Sequence, residues 1–207
     1  MDTERIQRWY GELEGREVLA VCGTSGEQIT RSQSSPHHRL VFPGAFNPLH
    51  NGHRCMADLA EERLGISVEF EISLENVDKP TLDLHDVQAR LQQFPPTQRV
   101  WLTRARHFVE KSEVFGKVTF IVGADTIGRI ADSKYYVSEQ QRDEAIAQIA
   151  SRGGRFLVFG RTREGQFETL ESLRLPPELR EICDEVSSGD FRADVSSTEI
   201  RIARGRP

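Results

Sequence analysis

At 207 residues the chain is long enough to form one domain that buries about 70% of its unfolded surface without covalent staples. Its 27 lysines and arginines against 32 aspartates and glutamates leave a net charge of −5, which excludes a general attraction to nucleic acid or to an anionic membrane and leaves any anionic ligand to a local positive cluster. The three cysteines, Cys22, Cys55 and Cys183, are an odd count without paired spacing, which argues against a disulfide framework or a zinc site; they read as small buried apolar residues in a reducing cytoplasm.

The N-terminus, "MDTERIQRWYGELEG", is charged throughout, with no apolar core of signal-peptide type, and no later window approaches the ~18 apolar residues of a spanning helix. Residues 3 to 14 place Ile6, Trp9, Tyr10 and Leu13 on one helical face before Gly15 stops the helix. "REVLAVCG" follows as a short buried strand, and the polar "TSGEQITRSQSSPHH" as a loop or linker. The composition divides the chain into an N-terminal helix-strand arm with its linker, residues 1–38, and a main domain, residues 39–207.

From Arg39 the pattern alternates. "HRLVFPGAF" is a strand; "HRCMADLAEERLG" is a helix with Met56, Leu59, Ala60 and Leu64 inward; "ISVEFEIS" alternates Ile66, Val68, Phe70 and Ile72 against polar neighbours. "LHDVQARLQQF" is a helix with Leu84, Val87, Leu91 and Phe94 on one stripe, ended by Pro95 and Pro96. "RVWLT" and "KVTFIVGAD" are strands separated by the short helical "ARHFVEKSEVF". A Ser138/Gln141 capping box opens the helix "SEQQRDEAIAQIASRGG", and "RFLVFGR" is a further strand. Such alternation predicts an α/β fold, a Rossmann-like doubly wound parallel sheet with helices on both faces. Ligands of such sheets sit beyond the carboxyl ends of the strands, where "PGAFNPLHNGH", "ENVDKP", "GADT" and "GR" fall.

The stretch "GAFNPLHNGH" runs strand, tight loop, histidine, helix. Gly52 permits close backbone approach, the free N–H groups of a helix start attract phosphate, and His50 and His53 point the same way from one turn. The pattern suits a phosphate cradle. A zinc pair is the alternative, but zinc wants three or four ligands and no further ligand has the spacing. His37, His38, His85 and His107 read as ordinary surface or core residues. Near the C-terminus, "DVSSTEIR" carries a Ser196/Glu199 capping box with Ser197, Thr198 and Arg201 in the first turn. A capping box is ordinary helix punctuation; hydroxyls and an arginine beside free N–H groups also make a second phosphate site. "CGTSGEQ" lacks the G-K-[ST] ending of a phosphate loop and reads as a turn.

"GAFNPLHNGH" with "SSTEIR" resembles the H-x-G-H and S-S-T-x-x-R signatures of the nucleotidylyltransferase superfamily, from about Arg39 to Arg204. Through "FNPLHNGH", "GADT" and the strand-end Arg161 of "FLVFGR", the chain looks nearest to the nicotinamide or nicotinate mononucleotide adenylyltransferases. The R-T-x-G-I-S-T-T form of the second motif, usual in the cytidylyltransferase branch, is absent, and Asn47 stands where phosphopantetheine adenylyltransferases usually have aspartate. The resemblance implies that His50, His53 and Arg201 act catalytically on the triphosphate. Gly44, Phe46, Asn47, Gly52, Gly123, Asp125, Arg161, Ser197 and Thr198 would bind the nucleotide, and Asn76 and Lys79 the acceptor.

The activity so implied is transfer of AMP from Mg-ATP to a phosphate acceptor, nicotinamide or nicotinate mononucleotide, with release of pyrophosphate. Phosphopantetheine or another acceptor is the alternative, as is a nucleotide-binding accessory module without catalysis. Mg²⁺ carried by ATP is the expected cofactor, with no dedicated metal site. The expected partners are ATP and the acceptor, neither nucleic acid nor membrane, and self-association is left open.

Overall fold

The fold is seen in a computed structural model that describes residues 3–15, 17–30, 37–75, 80–163, 166–191 and 201. Apolar residues at helical spacing make α1 (Thr3–Glu14) amphipathic, and it buries Ile6, Trp9 and Leu13. Strand β1 (Val18–Cys22) turns back into β2 (Gln28–Thr30) through "GTSGE", where Gly26 takes φ +81° and its N–H donates to the carbonyl of Cys22. The segment expected to be loop therefore contains a short strand, and "CGTSGEQ" is the hairpin turn.

The alternating part then runs β3 (Arg39–Pro43), α2 (Asn51–Leu64), β4 (Val68–Ser73), α3 (Leu84–Leu91), β5 (Val100–Thr103), α4 (Phe108–Phe115), β6 (Val118–Gly123), α5 (Ala124–Ala131), a 3₁₀ turn (Ser133–Tyr135), α6 (Glu139–Ser151) and β7 (Arg155–Phe159). A two-stranded ribbon of β8 (Arg161–Arg163) and β9 (Gln166–Glu168), then α7 (Pro177–Glu181) and β10 (Cys183–Val186), complete the described chain. The Ser138 hydroxyl accepts from the Gln141 N–H at 3.1 Å, as the capping box predicts.

The sheet order is β10-β7-β6-β3-β4-β5-β1-β2. All neighbours from β10 to β5 are parallel, whereas β1 joins β5 antiparallel, with Ala20 opposite Thr103 and Cys22 opposite Trp101. The doubly wound parallel sheet is thus present. It is widened at one edge by β1 and β2, and α1 packs into the same core as β3 and β4. From β3 the chain winds outward through β4 and β5, then restarts at β6 on the other side. The carboxyl ends of β3 and β6 therefore flank the point where strand order reverses, the place such sheets bind ligands.

Both faces of the sheet are covered. Leu40, Phe42, Phe70, Ile72 and Leu102 face the cluster under α1, α2 and α3, while Val41, Trp101, Phe120, Val122 and Phe156 face the one under α4, α5 and α6. Two expectations are corrected here. Helix α2 buries Gly52, Ala57 and Ala60, with Met56 and Leu59 only half-buried and Leu64 exposed, because the strand residues beneath it are large and leave room for small side chains. Of the cysteines, Cys22 is buried but Cys55 is exposed on the outer face of α2.

Candidate functional site

The loop from Gly44 to His50 is shaped by one aromatic side chain. Phe46, 1% exposed, takes φ +44° and drives its ring into the core against Phe42, Phe70, Phe94 and His53, with ring centroids 5.1 to 5.6 Å apart. A Cβ on Gly44 would lie 2.5 Å from that ring, so only glycine lets the loop fold over it. Phe46, expected to bind the nucleotide, has its side chain in the core, and its ring sets the path of the loop. Gln93 ties that path at both ends, its Nε2 donating to the carbonyl of Phe46 at 2.9 Å and its Oε1 accepting from the Leu49 N–H at 2.8 Å. Arg90 donates to the carbonyl of Ala45 at 2.8 Å.

His50 occupies the N-cap of α2 in extended conformation, and its imidazole stacks on that of His53 with centroids 3.7 Å apart and planes 21° apart. His53 Nδ1 accepts from the His50 N–H at 3.3 Å, which places the proton of the neutral ring on Nε2 and leaves that nitrogen a donor. His50 Nδ1 is buried with no hydrogen-bond partner. A buried unsatisfied ring nitrogen costs about 1–3 kcal/mol. Burial holds His53 down to a pKa of about 3, helped by the charges of His50 and Arg161, and burial followed by Arg161 lowers His50. Both rings are neutral at pH 7 while the site lacks an anion, and a bound polyanion shifts both toward the cationic form.

The same charge interactions place Arg161 beside the histidines. It leaves the end of β7, and its Nη1 donates to Asp125 Oδ2 at 3.0 Å. Asp125 lies in the first turn of α5, just past β6, and a Cβ on Gly123 would come 2.6 Å from its Oδ1. A side chain at 123 would push the carboxylate off Arg161. Gly52 is buried in the first turn of α2. Arg201, 154 residues away, donates to the carbonyl of Asn47 at 2.8 Å, so the arginine of the second motif is fastened to the loop of the first. The structure thus brings His50, His53, Asn47, Asp125, Arg161 and Arg201 to the β3/β6 crevice. Ser197, Thr198, Asn76 and Lys79 lie outside the described residues.

Beside this cradle, on the far side of Gly44, is a cavity of about 240 Å³. Its floor is the ends of β3 and β4 with Glu71 and Ser73, and its walls come from α4, α5 and the 3₁₀ turn, including His107, Phe108, Arg129, Tyr135 and Tyr136. His107, expected to be an ordinary surface or core residue, is a wall residue; His38, by contrast, is satisfied by Thr119 Oγ1 at 2.9 Å. At the floor a buried ion pair joins Lys111 Nζ to Glu71 Oε1 at 2.7 Å, the two side chains being 6% and 0% exposed. The Thr103 hydroxyl also donates to Glu71 Oε1, and Lys111 donates to the carbonyl of Ala105 at 2.9 Å.

Sequence reasoning missed Glu71, Lys111, Arg90 and Gln93. For Arg90 a signal existed: in "VQARLQQF" it sits three residues after Val87 on the apolar stripe, where a charged residue needs a buried partner.

A family model described as cytidylyltransferase-like matches residues 41–203, which takes in most of β3, the histidine loop, Asp125 of α5 and the second motif. No curated protein matches the chain.

Proposed function

The chain belongs to the cytidylyltransferase-like family and with it to the nucleotidylyltransferase superfamily, and from that premise we propose that it transfers AMP from Mg-ATP to nicotinamide or nicotinate mononucleotide. One observation carries the reading: neutral donors at His50 and His53 share the β3/β6 crevice with Arg161, Asp125 and Arg201, next to a cavity for a ring-bearing acceptor.

No protein nucleophile is required when the acceptor already carries a phosphate. Its oxygen attacks the α-phosphorus in line, the bond to the β-phosphate oxygen breaks, and pyrophosphate leaves. The work left to the protein is positioning and charge stabilisation. His53 Nε2–H, with the His50 imidazole stacked beside it, faces the accumulating negative charge, and Arg201 supplies a forked donor from the second motif. Gln93 and Arg90 hold the loop so that these donors need no reorganisation.

The residues present fit Mg²⁺ held chiefly by the triphosphate oxygens and water, because the carboxylate at the crevice, Asp125, is already bonded to Arg161. When bound, the ion supplies counter-charge for pyrophosphate.

The test is to incubate the protein with Mg-ATP and each mononucleotide and to separate products by chromatography. A dinucleotide with stoichiometric pyrophosphate is the expected result, with ATP preferred to CTP. Adenylylation of phosphopantetheine alone would replace the acceptor. ATP binding without pyrophosphate from any acceptor would make the chain a nucleotide-binding module.

A further inference from the structure

The family match begins at residue 41, so α1 lies outside it, yet α1 reaches the wall of the cavity beside Gly44. Glu75, Pro80 and Leu82, which lie between β4 and α3, line that wall. The Leu82 N–H donates to the carbonyl of Leu74 at 2.9 Å, and the Leu74 N–H to the carbonyl of Thr103 at 2.7 Å, which ties the connection down at its base. Two side chains of α1 hold it from behind. The Tyr10 hydroxyl donates to the carbonyl of Leu82, and the Arg104 guanidinium lies over the Tyr10 ring, 5.9 Å from its centroid. Arg104 Nη1 donates to Glu75 Oε1 at 2.6 Å, while its Nη2 reaches Glu14 of α1 at 3.4 Å. Arg106 takes the other oxygen of Glu75, its Nε donating to Oε2 at 2.7 Å, and itself lines the cavity. Glu75 is thereby fixed between two arginines, one facing α1 and one facing the cavity.

We propose that Tyr10 is a positioning residue for the acceptor, fixing Leu82 directly and Glu75 through Arg104, so that α1 sets one wall of the cavity from outside the matched domain. This rests on the reading of that cavity as the acceptor's. Docking of α1 is already provided for by Ile6, Trp9 and Leu13, which bury its apolar face in the core shared with β3 and β4. Tyr10 is only partly buried at the edge of that core, with its ring against apolar neighbours and its hydroxyl on the cavity wall. Tyr10 and Arg104 stand behind the lining residues and away from the histidine cradle, so their loss is felt in how the acceptor is held and not in the charge stabilisation at the α-phosphate.

The experiment measures kcat, the KM for ATP and the KM for nicotinamide and nicotinate mononucleotide, with mononucleotide Kd by calorimetry without ATP, in the native protein, Tyr10→Phe, Arg104→Lys and Ile6→Val. Tyr10→Phe removes the hydroxyl and keeps the ring. Arg104→Lys keeps a charge beside Glu75 but cannot fork between Glu75 and Glu14. Ile6→Val loosens the same helix at its core face while leaving both contacts in place, so it reports a purely structural role. In Tyr10→Phe the acceptor's KM and Kd are expected to rise by about three- to tenfold, the worth of one hydrogen bond, with kcat and the KM for ATP unchanged. Arg104→Lys should shift the same two quantities in the same direction, and Ile6→Val should leave them at their native values. An unchanged acceptor KM and Kd in Tyr10→Phe, an equal rise in the KM for ATP, or the same rise in Ile6→Val overturns the role of Tyr10 and leaves the adenylyltransferase reading intact. If the native protein binds a mononucleotide but forms no dinucleotide, that reading fails and the Kd values alone decide the role of Tyr10. If it binds neither mononucleotide, both fall.

Discussion

Gly44 separates two regions of unlike construction. On one side the cradle consists of neutral imidazoles, a half-exposed Arg161–Asp125 pair and the Arg201 bond to Asn47, all at the rim of the crevice. On the other, the cavity is floored by a buried ion pair and walled by aromatic rings together with Arg90, Arg106 and Arg129. Charge in the first region is held loosely and is available to a polyanion. In the second the floor pair neutralises itself, Arg106 pairs with Glu75, and Arg90 holds the carbonyl of Ala45. The difference teaches that one loop, residues 44–50, can border both a rim of loosely held charge and a cavity whose floor charge is buried and paired.

The largest effect should come from the cradle. His50→Ala or His53→Asn is expected to lower turnover by about 10²-fold or more, because a preorganised donor to developing charge contributes a few kcal/mol. His53 also packs on Phe42 and Phe46, so asparagine rather than alanine is the cleaner change there. Steady-state kinetics on purified, folded variants checks this, and near-native turnover in either breaks the division of labour.

Gly44→Ala should disturb both regions together. Its methyl meets the Phe46 ring at 2.5 Å, so the loop must move; a loss of roughly tenfold or more in kcat/KM is expected, with about 1–3 kcal/mol of destabilisation from overpacking. Denaturant unfolding beside kinetics separates the two effects. An unchanged KM for the acceptor would show that the cavity does not depend on the loop.

Arg201→Ala should raise the KM for ATP or lower turnover by several-fold up to about tenfold, and Arg201→Lys should restore only part, because lysine cannot reproduce a forked donor. Full rescue by lysine would reduce its role to a point charge. Unchanged ATP kinetics in the alanine variant would confine Arg201 to fastening the loop.

The effect that leaves activity at neutral pH untouched is on stability with pH. His53 titrates near 3 in the folded protein and near 6.5 when unfolded, so the unfolded chain takes up the proton first as pH falls. Its contribution is therefore full above pH 6.5 and is lost progressively toward pH 3. Unfolding midpoints measured across that window should fall more steeply for the native protein than for His53→Asn. Parallel slopes would mean that the ring is not held neutral.

What could be read from the chain alone was whatever is local. Helical spacing in "RIQRWYGEL", the strand, loop and helix order around "GAFNPLHNGH", and the Ser138 cap depend on residues within one or two turns of each other, and each element is present in the fold. Tertiary structure alone decided the rest. "VEFEIS" reads as a strand with one wet face, but β4 is central in a parallel sheet and has none, so Glu71 is buried and must find Lys111, 40 residues on. The short "VLAVC" gives no sign that it will close the sheet edge beside β5, nor "VQARLQQF" that Arg90 and Gln93 will hold the histidine loop from across the crevice. The reason is physical. Backbone periodicity is set by near neighbours, whereas a buried charge or donor is stable only with a partner, and that partner is chosen by which strands and helices come together in space.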